Sequence, residues 1–222
     1  MNIGYFGNCW CASNDEHSHT TLLGKLLNAN VVNSSVIEGS EGRILFKLKK
    51  TPNLDLALIF HDDDNTLFLP NATRDWWLTG GANFGTWFKS SWKKDFGGLF
   101  KSPQEFIDAI TTYKKFFYHN DDHRNVYYGY MVLIDQYLLA KNIPCIHFFD
   151  SKKHHIPDWI EIKSGVVDYS FINTMNKMGG QNRKNRTPNY LTMIQNHTGA
   201  FIIADIIEKN NLINGVKCIA QS

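Results

Sequence analysis

Four residues along the chain have the chemistry needed for acyl transfer: Cys9, Gly39, Asn65 and His197. A thiol is a nucleophile once it is deprotonated, and the imidazole of His197 is a base that can take the proton of Cys9. The backbone amides of Cys9 and Gly39, with the side-chain amide of Asn65, are donors of the kind that stabilise an oxyanion. The set predicts a nucleophile, a base and an oxyanion hole, provided that the fold brings the four positions together.

Each of these residues is expected at the end of a secondary-structure element. Cys9 follows a strand-like segment, Gly39 follows a second short strand that starts at Val31, and Asn65 follows the apolar segment 54–60. His197 is expected just before the last helix, which is predicted to begin after Gly199. Further strands are predicted at 143–149 and near 166–167, and further helices at 22–27, up to 48, 103–118 and 125–141.

The alternation of strands with helices predicts an α/β fold, with a mainly parallel sheet covered by helices on both faces. The connections are long enough for crossovers, so neighbouring parallel strands are expected to hold Ile3, Val32, Leu58 and Ile146. In such sheets, ligands bind beyond the carboxyl ends of the strands. The four candidate residues are therefore expected at that rim.

The composition is that of an ordinary globular protein. The chain has 222 residues, a formal net charge of +2 and 43% hydrophobic residues, which predicts a single domain over 1–222 and makes nucleic-acid binding unlikely. Its apolar segments are far shorter than the ~20 residues of a membrane helix, and its start lacks a signal-peptide pattern, so we expect a cytoplasmic protein without a membrane span. The four cysteines are too sparse for a disulfide framework and are predicted to be thiols.

A stretch rich in tryptophan and glycine, at about 67–100, interrupts the alternation of strands and helices. Because it follows the third predicted strand, it is expected to lie over or beside the carboxyl ends of the strands. Two interpretations are open for its tryptophans. They form the core of a lid, or they form a platform for sugar rings or a partner protein, because aromatic faces bury a large area with little loss of entropy.

Three further motifs have an ordinary interpretation beside a functional one. The acidic run Asp62–Asp64 is a solvated loop or a site for a divalent cation. The basic loop 181–186 is expected to be exposed, and it is either a solvated loop or a surface that contacts phosphate or an acidic partner. A zinc site is disfavoured because only one residue separates the two cysteines of the nearest possible cluster, which consists of Cys9, Cys11, His17 and His19.

The order of the four candidate residues resembles that of the SGNH (GDSL-like) hydrolase family. This family has Gly-Asp-Ser after the first strand, where this chain has Gly7-Asn8-Cys9, then a glycine, an asparagine and a late histidine. The resemblance implies a flavodoxin-like three-layer α/β/α sandwich, with Cys9 as the nucleophile and His197 as the base. It implies Cys9, Gly39 and Asn65 as oxyanion donors, with Asp64 in place of Asn65 if the register is shifted by one residue. It also implies no metal or other cofactor, and a small ester or acetylated carbohydrate as substrate.

The chain departs from the family pattern at its reacting groups. Cys9 replaces the serine, Asn8 replaces the aspartate before it, and Ile194 stands where the family has an aspartate three residues before the histidine. Groups that could orient His197 instead are Gln195, Asn196 and Asp168. Two functions stay open: a thiol-dependent ester hydrolase, or an inactive module with a binding or structural role, for example in a bacteriophage virion.

Overall fold

The computed structural model describes residues 1–7, 16–36, 39–61, 66–69, 71, 76–77, 99–149, 156–179 and 193–213. The strands are β1 (Asn2–Phe6), β2 (Asn30–Asn33), β3 (Leu56–Phe60), β4 (Thr66–Leu67), β5 (Trp76–Trp77), β6 (Cys145–Phe148) and β7 (Gly165–Asp168). Five of them form one sheet in the order β2-β1-β3-β6-β7, in which all neighbours are parallel. The short strands β4 and β5 form a separate antiparallel pair inside the predicted tryptophan-rich stretch.

The helices are α1 (His19–Leu26), α2 (Glu41–Lys50), α3 (Pro103–Phe116), α4 (Asn120–Ala140), α5 (Phe171–Gly179) and α6 (Met193–Lys209). Three of them begin after a serine whose hydroxyl accepts a hydrogen bond from the first turn, namely Ser18, Ser40 and Ser102. These caps satisfy N–H groups that have no partner inside the helix. In the described part of the chain, no helix is both long and apolar enough to cross a membrane.

Helices cover both faces of the sheet. On one face, Leu23 of α1, Met175 of α5 and Ile203 of α6 belong to a buried cluster with sheet residues that include Tyr5 and Leu58. On the other face, the buried residues of α2 and α4 pack against the sheet, among them Ile44, Leu48, Ile134 and Leu138. The architecture is therefore the three-layer α/β/α arrangement that the sequence predicts.

The predicted neighbours within the sheet are confirmed. Ile3 pairs with Val31 on one side and with Leu56 on the other, and Leu58 pairs with Ile146. Every residue of β3 and of β6 is buried, as expected for central strands that are covered on both faces.

The prediction that the last helix begins after Gly199 is wrong. The helix α6 begins at Met193, so His197 lies within it rather than before it. A Cβ at position 199 would lie 3.1 Å from Cε of Met175 and 3.5 Å from Cβ of His19. The glycine marks the close approach of α6 to α5 and α1, and it does not mark a helix boundary.

One other helix boundary differs from the prediction, and the structure has one helix that the prediction lacks. The helix α4 begins at Asn120 instead of 125, and acidic residues occupy its first turn, where they interact favourably with the helix dipole. The helix α5 was not predicted. It begins where Asp168 accepts hydrogen bonds from the backbone N–H groups of Ser170 (3.0 Å) and Phe171 (2.7 Å).

Replacing Gly129 with alanine should raise the free energy of unfolding by about 1 kcal/mol, because glycine costs about that much within a helix. Nothing lies within 4 Å of a Cβ at this position in α4. The matched control is Gly24→Ala in α1, whose Cβ would lie 3.0 Å from the carbonyl oxygen of Ala29 and 3.2 Å from Cγ2 of Val31. Urea unfolding of both variants checks the prediction, and an equal gain from both would contradict it.

Candidate functional site

The turn that contains Gly39 lies against the end of β1. The N–H of Val36 donates to the carbonyl of Gly7 (2.9 Å), and the N–H of Gly39 donates to the carbonyl of Val36 (2.9 Å). A Cβ on Gly39 would approach the carbonyl oxygens of Val36 and Gly7 to 3.0 and 3.1 Å. Glycine is thus favoured here by close packing, and its N–H is engaged within the turn; the role of Gly39 as an oxyanion donor stays a prediction.

The beginning of α6 lies at the same rim of the sheet. The side-chain oxygen of Asn196 accepts a hydrogen bond from the backbone N–H of His19 (3.1 Å) and lies 3.4 Å from Nδ1 of His19. The ring of His19 is 5.7 Å from that of Tyr5, near the end of β1, and 6.4 Å from that of Phe60, at the end of β3. The residue next to His197 is therefore anchored beside the carboxyl ends of β1 and β3.

Two of the predicted site residues, Cys9 and Asn65, lie outside the described residues, as does the acidic run Asp62–Asp64. The geometry between Cys9 and His197 is accordingly a prediction. His197 itself is partly buried.

The groups considered as partners for His197 have other contacts. Gln195 is buried, and its side-chain amide donates to the carbonyl of Met175 (3.1 Å). Asn196 holds the start of α1, as described above. The carboxylate of Asp168 accepts hydrogen bonds at the start of α5, including one from the hydroxyl of Ser170 (2.9 Å). The side chains of all three therefore hold neighbouring parts of the fold together.

A second cluster, which the sequence did not reveal, lies between the sheet and the layer of α2 and α4. Oε2 of Glu41 is 3.0 Å from Nδ1 of His61, and Nε2 of His61 is 2.8 Å from Nδ1 of His147. Nε2 of His147 is in turn 2.9 Å from Oγ of Ser164. We call these four residues the buried polar row. Glu41, His61 and His147 are at most 2% exposed, and Ser164 is half-buried.

Four elements position the row. Glu41 is the first residue of α2, His61 follows β3, His147 lies on β6, and Ser164 precedes β7. The rings of His61 and His147 lie edge to edge and nearly coplanar, at an angle of 9° with centroids 5.1 Å apart. The ring of His61 also stacks on that of Phe149, with centroids 4.2 Å apart. The hydrogen bonds of the row fix the orientation of both imidazoles, and stacking on Phe149 adds to this for His61.

Asp135 of α4 holds the serine end of the row. Its Oδ1 accepts hydrogen bonds from the backbone N–H groups of Lys163 (3.0 Å) and Ser164 (2.8 Å), and its side chain is buried. The backbone at Ser164 is therefore fixed by a buried carboxylate, while the hydroxyl faces His147.

Burial lowers the pKa of His147 well below its ordinary value, and the neighbouring His61 lowers it further. A neutral imidazole has one donor and one acceptor nitrogen. When Nδ1 of His61 donates to Glu41, Nε2 of His61 is free to accept from Nδ1 of His147. Nε2 of His147 then accepts a hydrogen bond from the hydroxyl of Ser164. In this arrangement every hydrogen bond of the row points from Ser164 toward Glu41.

The start of α2, which holds Glu41, borders a small cavity at the rim. The cavity has a volume of about 170 Å³, and its lining includes Ser40, Glu41, Phe68, Tyr113 and Tyr127. Its aromatic walls suit a small ligand with an apolar face.

No protein-family model and no curated protein matches the chain. The function is therefore inferred from the residues themselves.

Among the described residues, no group of three or more histidine, cysteine, aspartate or glutamate side chains is arranged to hold a metal ion. The thiol of Cys145 is free and buried, and burial raises its pKa, with a further contribution from Asp135.

The sequence contained only weak signals for the buried polar row. His147 interrupts an otherwise apolar strand, and His61 directly follows another; a histidine in such a place is often an ordinary core residue. The partnership becomes visible only through the register of β3 and β6, in which Ile59 pairs with His147.

Proposed function

We propose that this protein is an ester hydrolase of the SGNH type, acting at the carboxyl ends of the strands. The thiolate of Cys9 attacks the acyl carbon, and His197 takes the thiol proton and returns it to the leaving alcohol. The amides of Cys9 and Gly39, with Asn65, bind the oxyanion. Water then releases the acyl group from Cys9. The substrate is a small ester or an acetylated carbohydrate.

The observation that carries the proposal is the arrangement of the rim. The order β2-β1-β3-β6-β7 reverses direction at β1 and β3, and in doubly wound sheets ligands bind at such a switch point. The segments that follow β1 and β3 contain Cys9 and Asn65. The turn of Gly39 and the helix of His197 are anchored at the same rim through Gly7 and His19.

The small rim cavity supports a carbohydrate as the substrate. Its aromatic walls suit the apolar face of a sugar ring. Its volume of about 170 Å³ suits one ring or one acyl group rather than a long chain.

One observation favours the alternative of an inactive binding module. The N–H of Gly39 already donates to Val36 at 2.9 Å, so it must leave this turn before it can bind an oxyanion. An SGNH-like domain that keeps the fold without turnover would serve in assembly, for example in a bacteriophage virion.

Hydrolysis of p-nitrophenyl acetate tests the proposal. The rate should rise with pH through the titration of the thiol, near ~8.5 for an unperturbed cysteine and lower beside a histidine. Cys9→Ala should lower the turnover roughly a thousandfold or more, and His197→Ala should lower the rate of iodoacetamide reaction at Cys9. Cys9→Ser should also be much slower, because a serine hydroxyl needs the acid that Ile194 replaces.

The matched control is Cys145→Ala, which should keep the turnover because the thiol of Cys145 is buried. An absence of turnover in the parent protein, with slow alkylation of Cys9 that does not depend on His197, would establish the binding module instead.

A further inference from the structure

The buried polar row has the polarity of a nucleophile, a base and an orienting group. In serine hydrolases, Nε2 of the histidine faces the serine hydroxyl and Nδ1 faces the orienting partner. Here Nε2 of His147 is 2.9 Å from Oγ of Ser164, and Nδ1 is 2.8 Å from Nε2 of His61. These distances are within hydrogen-bond reach for a nucleophile and its base.

From this geometry we propose that Ser164 is a second nucleophile, activated by His147, His61 and Glu41, which accepts acyl or phosphonyl groups from activated donors. The proposal rests on residues separate from Cys9 and His197. It therefore stands or falls independently of the ester hydrolysis proposed above.

The reaction is balanced within the row. Oγ of Ser164 forms a bond to the carbon or phosphorus of the donor, and its proton moves to Nε2 of His147. The Nδ1 proton of His147 moves to Nε2 of His61, so the positive charge comes to rest on His61, 3.0 Å from the carboxylate of Glu41. The leaving group, an aryloxide or fluoride, departs with the electron pair of the broken bond.

This route avoids leaving a positive charge on the buried ring of His147. A positive charge that stayed on His147 would lie in a fully buried position, where desolvation opposes it. Passing the proton to His61 places the charge beside a buried carboxylate, where an ion pair compensates it. His61 and Glu41 are thus positioning residues, and Ser164 and His147 are the reacting groups.

The surroundings of Ser164 define what the site can do. Ser164 is half-buried and its neighbours Lys163 and Gly165 are exposed, so this segment lies at the surface of the protein. The N–H groups of Lys163 and Ser164 both donate to Asp135, so these two cannot act as oxyanion donors. We therefore expect stoichiometric modification of Ser164 and slow release of the acyl group, in contrast to rapid turnover.

The test is labelling of the full-length chain with a fluorophosphonate at pH 8, followed by peptide mass spectrometry. It is done in the Cys9→Ala background, so that thiol chemistry does not contribute. One adduct per chain is expected on Ser164, and Glu41→Gln and His61→Asn should each slow labelling tenfold or more. Glutamine keeps an acceptor for Nδ1 of His61 but loses the negative charge, so Glu41→Gln separates activation from folding.

Ser170 is the matched control. Its hydroxyl donates to the carboxylate of Asp168 at 2.9 Å and is exposed, but in that hydrogen bond its partner is a carboxylate and not an imidazole. Ser170→Ala should leave the labelling rate unchanged, and Ser164→Ala should abolish it. The proposal is overturned if the folded chain gains no adduct at Ser164, if Ser170 is labelled equally fast, or if Glu41→Gln labels as fast as its parent.

Discussion

Replacing Glu41 with alanine should lower the free energy of unfolding by about 2–3 kcal/mol, since an unsatisfied buried polar group costs ~1–3 kcal/mol. The carboxylate is buried, and it accepts from Nδ1 of His61, which is fully buried. Alanine leaves that nitrogen without this acceptor and opens space at the start of α2. Glu41→Gln retains an acceptor oxygen and should lose clearly less.

Asp122→Ala is the matched control for this prediction. Asp122 is also an acidic residue in the first turn of a helix, α4, but its side chain is 83% exposed. Its removal should change the free energy of unfolding by less than about 0.5 kcal/mol. Urea denaturation of the three variants measures the difference. Equal losses for Glu41→Ala and Asp122→Ala would show that the buried polar row contributes little to stability.

The parallel sheet could be predicted from the sequence because its central strands are continuous apolar segments. The segments 54–60 and 143–149 match β3 and β6, and the helices between them supply the crossovers. Such a pattern carries information about burial on both faces, which is a property of each segment alone. The fold class follows from local properties and is confirmed.

The candidate sites depend on contacts between distant residues, which local patterns do not contain. His61 and His147 are 86 residues apart and meet because β3 and β6 are neighbours in register. The hydrogen bond from His19 to Asn196 joins residues 177 apart. The start of α6 differs from the prediction for the same reason, since Gly199 lies where α6 packs closely against other helices. The resemblance of Cys9 and His197 to a hydrolase pair stays a prediction.

The last prediction concerns the stability of the protein at low pH. Below pH 6.5 the free energy of unfolding should fall by up to about 1.4 kcal/mol per pH unit because of His147 alone. Burial, with a contribution from His61, holds the pKa of His147 well below its ordinary value in the folded state. In the unfolded chain this imidazole binds a proton below about pH 6.5. Unfolding therefore takes up a proton in this range, stability is lost as the pH falls, and the loss ends at the pKa of the folded state.

Comparison of the parent protein with His147→Gln measures the contribution of position 147 to the pH dependence of stability. Urea unfolding at pH 5, 6, 7 and 8 should show a steeper decline in the parent below pH 6.5, so that the difference between the two proteins shrinks with acid. His119→Gln is the control for the replacement of a surface histidine, since the side chain of His119 is 68% exposed. A constant difference between the parent and His147→Gln from pH 5 to 8 would mean that His147 titrates alike in the folded and unfolded chains, and that the row does not keep it neutral.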